Sequence, residues 1–143
     1  MLRRVMVLPA ILLFLAADTP NDSTEGKGLP EGTWRMTSFK AGGKRAFEGS
    51  ENLFTIEITK DQMVWKSGTT TQLTNTYKVD PTKKPAWIDL TYTSGPGKGK
   101  TVKGVFEVKD GELTINHGSE NGDRPTSIDD PRGIARSFKR DGK

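Results

Sequence analysis

The sequence predicts an all-β chain, a small antiparallel up-and-down eight-stranded barrel, with a two-sheet β-sandwich as the alternative on the same pattern. Three observations point there. Beyond the first seventeen residues the apolar side chains alternate at period two among Thr and aromatic residues, as in half-buried strands. Turn residues separate these runs at short, regular intervals. No window combines helical apolar spacing with helix caps. A meander of short strands must protect its edges, and closure into a barrel does so most completely.

Taken in order, residues 33–39 carry Trp34, Met36 and Phe39 among Thr, Arg and Ser. Residues 53–59 alternate Phe54, Ile56 and Ile58 with Thr55 and Glu57, and 63–66 form a short apolar run. Residues 73–79 place Leu73, Tyr77 and Val79 on one parity. In 87–93, Ile88, Leu90 and Tyr92 oppose Asp89 and Thr91, which leaves Trp87 facing outward. Residues 102–108 align Val102, Phe106 and Val108 with Gly104, and Leu113 and Ile115 continue the pattern. Residues 134–140 are the eighth and weakest strand, because Arg136 and Ser137 interrupt the apolar alternation. The sharpest turn is Asp110-Gly111, a two-residue hairpin signal requiring left-handed torsions.

The N-terminus reads as an address. A basic start, Arg3-Arg4, precedes a thirteen-residue apolar stretch to Ala17 interrupted only by Pro9. Residues 1–17 are expected to be a signal peptide, 18–28 a flexible linker, and 29–143 the barrel domain. Leu15 is a poor residue three positions before a cut after Ala17, so an uncleaved N-terminal anchor is the alternative. No other stretch approaches the ~20 apolar residues of a membrane span. The protein is therefore expected in the periplasm or outside the cell, as a monomer.

The chain has 143 residues, no Cys and a net charge of +4. Its length fits one domain, and disulfides and Cys-ligated metals are excluded. Once Arg3 and Arg4 are removed, 20 basic residues face 18 acidic ones. The lysines are interspersed with acids rather than gathered in a stripe beside aromatics, which argues against a nucleic-acid partner.

Motifs for catalysis are weak. The stretch Gly95-Pro96-Gly97-Lys98-Gly99-Lys100-Thr101 resembles a phosphate loop in composition only: Ser94 stands where the first Gly is needed, and a strand follows instead of a helix. It reads as a glycine-rich hairpin loop. His117 is the sole histidine, expected at a strand end or on the surface, so a His-based metal cluster has no second ligand of that kind. Asn121, Asp123, Asp129 and Asp130 lack the spacing of a calcium loop. Asp89 and Glu107 fall on the polar face of neighbouring strands. No catalytic residue, metal ligand or cofactor is assigned, and the protein is not expected to be an enzyme.

The aromatics remain. Trp34, Met36, Phe54, Tyr77, Tyr92 and Phe106 are the candidate barrel interior. If they line a cavity, the domain binds a small apolar ligand at the barrel mouth. If they meet in the middle, they are filling, and the scarcity of aliphatics favours that. The leading functional expectation is a non-catalytic binding module for a small hydrophobic ligand. The alternative is a filled-core structural or protein-interaction domain at the cell envelope.

A resemblance adds to this. Gly32-Thr33-Trp34 at the first strand is similar to the Gly-x-Trp opening of lipocalins and related barrels. Further on come Tyr77-Lys78-Val79-Asp80-Pro81-Thr82-Lys83-Lys84-Pro85, Ile88-Asp89-Leu90, the glycine-rich 95–101 stretch, Gly104-Val105-Phe106-Glu107 and Asp123-Arg124-Pro125-Thr126. Together over residues 29–143 these resemble an uncharacterised lipocalin-like domain family of planctomycete bacteria. The resemblance implies a secreted eight-stranded barrel and no established activity. It also implies that a late basic side chain packs across Trp34 to close one barrel end. Arg136, Lys139 and Arg140 are placed for this, and a guanidinium, from Arg136 or Arg140, suits an indole face. The family pattern has a continuous apolar last strand, and Arg136-Ser137 departs from it.

Overall fold

The computed structural model describes residues 28–141; the expected signal peptide and nearly all of the linker lie outside the described residues. The strands are β1 (Gly32–Ala41), β2 (Lys44–Arg45), β3 (Phe54–Ile58), β4 (Gln62–Ser67), β5 (Thr70–Asp80), β6 (Ala86–Tyr92), β7 (Thr101–Lys109), β8 (Glu112–His117) and β9 (Ile134–Arg140). A single 3-10 turn, Glu51–Leu53, precedes β3. From β3 to β9 each strand pairs antiparallel with the next, and β9 returns to β1, which also pairs with β3. That closes an eight-stranded up-and-down barrel, with β2 a short arm outside it on β1. No helix among the described residues is long and apolar enough to cross a membrane.

Local chemistry explains the connections. Asp110 and Gly111 adopt φ of 54° and 78° between Lys109 and Glu112, the two-residue hairpin that joins β7 to β8. Along each strand alternate side chains point inward. Two bulges shift that alternation. In β1 the register slips between Met36 and Ser38, so Phe39 joins Trp34 and Met36 on the inner face despite its odd number. Between β4 and β5 the slip follows Trp65, where Gln72 is the extra residue.

The last strand is fully formed. All seven of its residues pair with β1 on one side, and 134–139 pair with β8 on the other. Arg136 does not break the pattern: Ile134, Arg136, Phe138 and Arg140 share the inward parity, and Phe138 is completely buried. The segment 118–133 is also organised. Asn116 faces outward yet is buried, because its Nδ2 donates to the carbonyls of Ser127, Ile128 and Asp130. The Asp130 carboxylate accepts from the Thr126 and Arg132 amides and from the Arg132 guanidinium. Hydrogen bonds from Arg132 first, then from those amides, hold its carboxyl well below the usual carboxylate range. Gly133 is required beside Asn116, where any Cβ would collide with Oδ1.

The two barrel ends differ. At one end Trp34, Ile56, Ile58, Met63, Phe106, Val108 and Leu113 fill the interior. Arg140 lies over the Trp34 ring at 4.6 Å and donates from Nη1 to the Glu31 carbonyl at 2.8 Å. The other end carries the loop 42–53, the turn at 68–69, the glycine-rich loop 93–100 and the segment 118–133. There the interior is not filled.

Candidate functional site

A cavity of about 350 Å³ opens at that second end, the smaller part of the range for ligand pockets. Its walls are mostly apolar: Met36 and Phe39 from β1, Phe54 from β3, Trp65 from β4, Leu73 from β5 and Tyr92 from β6. Phe138 lies beneath, its ring 5.9 Å from that of Trp65 in an edge-to-face arrangement. Lys66 and Gln72 stand at the rim, Lys66 paired with Glu57 at 2.6 Å.

Each wall residue has a local reason for its position. Trp65 is oriented by Asn75, fully buried in β5, whose Oδ1 accepts from the indole nitrogen at 2.6 Å. Tyr92 is backed by the glycine-rich loop: a Cβ on Gly97 would stand 3.3 Å from the ring, so that loop packs on the phenol rather than on phosphate. The Gly99 amide donates to the Tyr92 carbonyl at 2.8 Å, which ties the loop down. Phe47 covers part of the mouth, exposed over half its surface, with its ring edge-on to Phe39 at 5.0 Å and 5.9 Å from Phe54. Its φ of 58° is unusual for a bulky residue, and the turn is pinned by buried Glu51, which accepts from the Gly49 amide and the Arg45 guanidinium.

One polar group stands among these rings. Arg136 projects from β9 into the interior, its guanidinium carbon 4.9 Å from the Phe39 ring centre and 5.2 Å from that of Trp65. Its Nη1 donates to His117 Nε2 at 2.9 Å. His117 Nδ1 lies 2.8 Å from the Gly118 carbonyl, which can only accept. The proton is therefore on Nδ1, and Nε2 offers a lone pair to Arg136. Burial, and then the nearby guanidinium, push the His117 pKa down to about 4, so the ring is neutral at pH 7. Burial also lowers the pKa of Arg136, yet a guanidinium starts so high that it stays charged. Among the described residues the titratable acid whose field acts on it is the Tyr92 phenol, itself pushed up by burial. Among the described residues no carboxylate pairs with Arg136.

The expected interior residues divide between the two ends. Met36, Phe54 and Tyr92 line the cavity. Trp34 and Phe106 belong to the packed end, and Tyr77 sits half-buried against the core, its hydroxyl donating to the Thr59 carbonyl. Of the two arginines named for closure, Arg140 covers Trp34 and Arg136 occupies the cavity. His117 ends β8, at a strand end as expected, but is buried rather than at the surface. From sequence, Phe39, Trp65 and Leu73 are placed on strands, and Arg136 is named for closure, without being assigned to the cavity they line, and Phe47 is not singled out. Arg136 left a signal of its own, a charge sharing the parity of Ile134 and Phe138.

The other motifs lie elsewhere. Asp89 forms an ion pair with Arg124 at 2.9 Å on the outer face rather than pairing with Glu107. Trp87 does face outward, with Lys83 and Arg124 each stacked on its ring. Among the described residues no group of three or more His, Cys, Asp or Glu could hold a metal ion.

Fold and cavity together define a closed antiparallel barrel, packed at one end and hollow at the other. The chain matches no protein-family model, no curated protein and no solved structure at a significant level.

Proposed function

We propose that this is an exported, lipocalin-like, non-catalytic binding module that holds one small hydrophobic molecule in the open end of its barrel. The observation that carries the reading is the cavity itself. An eight-stranded barrel is either filled by its own side chains or left with room for one small ligand, and here Met36, Phe54, Trp65, Leu73 and Tyr92 surround space. Aromatic walls give an apolar ligand large contact area at little entropic cost. Export rests on the first seventeen residues, of which 12 are apolar behind Arg3-Arg4.

Titrating the purified domain with the uncharged probe N-phenyl-1-naphthylamine, while following probe and Trp emission, tests it. A saturable one-to-one rise in probe emission with a change in Trp65 fluorescence is expected. A linear, unsaturable response would overturn the reading. Replacing Leu73 by Trp, which fills the space, should weaken binding at least tenfold without unfolding the barrel.

A further inference from the structure

We infer that the molecule held in the open end is an amphiphile with a carboxylate head, whose charge pairs with Arg136 in the cavity wall while its apolar tail contacts the aromatic rings. This rests on the cavity's being a binding site and says what kind of molecule it takes.

The argument starts from an imbalance of charge. A guanidinium taken out of water is costly unless an anion or several acceptors compensate it. Arg140, four residues further along β9, has a carbonyl and an indole face as partners and lies at the surface. The guanidinium of Arg35 has the carboxylate of Asp141, that of Arg45 has Glu51, and that of Arg132 has Asp130. Arg136 is enclosed by Phe39 and Trp65, and its hydrogen-bond partner is a neutral imidazole. The rings act on it through their quadrupoles and supply no hydrogen-bond acceptor.

The geometry also selects the anion. A guanidinium carries five N–H donors in a planar fork. His117 accepts from Nη1 only, so most of the fork remains for a second partner. A planar carboxylate matches such a fork with two parallel hydrogen bonds. The Tyr92 phenol lies within the field of the guanidinium, and its hydroxyl has no hydrogen-bond partner among the described residues. It is available as a further donor to the same head group. His117 acts through Arg136: with its proton fixed on Nδ1 by Gly118, its Nε2 accepts from the guanidinium and restrains it within the cavity. Apart from Lys66 and Gln72 at the rim, the rest of the wall is apolar, which suits a hydrocarbon tail.

The test uses the probe bound in the cavity and three competitors of one chain length: decanoate, decanol and decylammonium. In the unaltered protein decanoate should displace the probe at a concentration at least tenfold below that of decanol, with decylammonium weakest. Arg136→Met should abolish the decanoate advantage and leave displacement by decanol within about threefold of its original value. Arg136→Lys should retain part of the advantage, since the charge remains but the planar fork is lost. Equal displacement by decanoate and decanol in the unaltered protein would overturn the proposal, as would a decanoate preference that survives Arg136→Met. Failure of the probe to bind at all would instead remove the cavity as a binding site, and this proposal with it.

Discussion

Two arginines stand four residues apart on β9, point to the same face of the barrel wall, and meet opposite surroundings. Arg140 covers Trp34 at the packed end, with its head in solvent and an Nη1 bond to the Glu31 carbonyl. Arg136 lies within the other end, between Phe39 and Trp65, bonded to a neutral His117. A guanidinium that snorkels over an aromatic ring adds to stability, because its charge stays hydrated. One held inside without an anion subtracts from it. The packed end thus gains stability from its arginine, and the hollow end gives some stability up to hold a charge inside the barrel.

The largest expected effect lies at the packed end. Trp34→Ala should destabilise by about 3–5 kcal/mol, since a fully buried ring is replaced by a void. Leu73→Ala, at the cavity wall and already beside empty space, should cost less than about 2 kcal/mol. Urea unfolding of both variants compares the ends directly, and equal losses would contradict the asymmetry.

Next comes the pH response of the hollow end. His117 titrates near 4 when folded and near 6.5 when unfolded. The unfolded chain therefore binds this proton first as pH falls. The contribution is complete above about pH 6.5 and is lost as pH drops to about 4, amounting to about 3 kcal/mol. Denaturation midpoints measured across that window should show the loss. The slope should be shallower in Arg136→Met, which removes the charged group that acts on the ring.

Arg136→Met should itself raise stability, by about 1–3 kcal/mol, because an apolar side chain replaces a desolvated charge in an aromatic setting. The smallest effect is at the other arginine: Arg140→Ala should lower stability by about 1 kcal/mol through loss of the ring contact and the hydrogen bond to Glu31. Opposite signs for two arginines on one strand face are the signature of the contrast. Thermal melts of the two variants decide it.

Much of the barrel was legible in the sequence, because alternation writes the inner face directly. Ile56 and Ile58, Ile88 and Leu90, and Phe106 and Val108 all lie inside as their parity requires. The Asp110-Gly111 turn was equally plain, since few other pairs adopt two left-handed residues. The bulges were not legible. Nothing local marks Thr37 or Gln72 as the extra residue, and without the first bulge Phe39 faces solvent. Residues 118–133 looked like loop because their order comes from contacts distant in sequence, the Asn116 side chain reaching three carbonyls. Arg136 was visible but read as a flaw in a strand. A charge at inward parity is a defect only if the interior at that level is full, and the fill of a barrel is set by all eight strands together.

The contrast between the ends is tested most directly by locating where an apolar molecule binds. The protein can be labelled at Ile, Leu, Val and Met methyl groups and titrated with N-phenyl-1-naphthylamine while its methyl resonances are followed by NMR. The account predicts saturable shifts for Met36 and Leu73 at the cavity, with Ile58 and Val108 at the packed end unmoved. Shifts of equal size at both ends, or at Ile58 and Val108 alone, would contradict it.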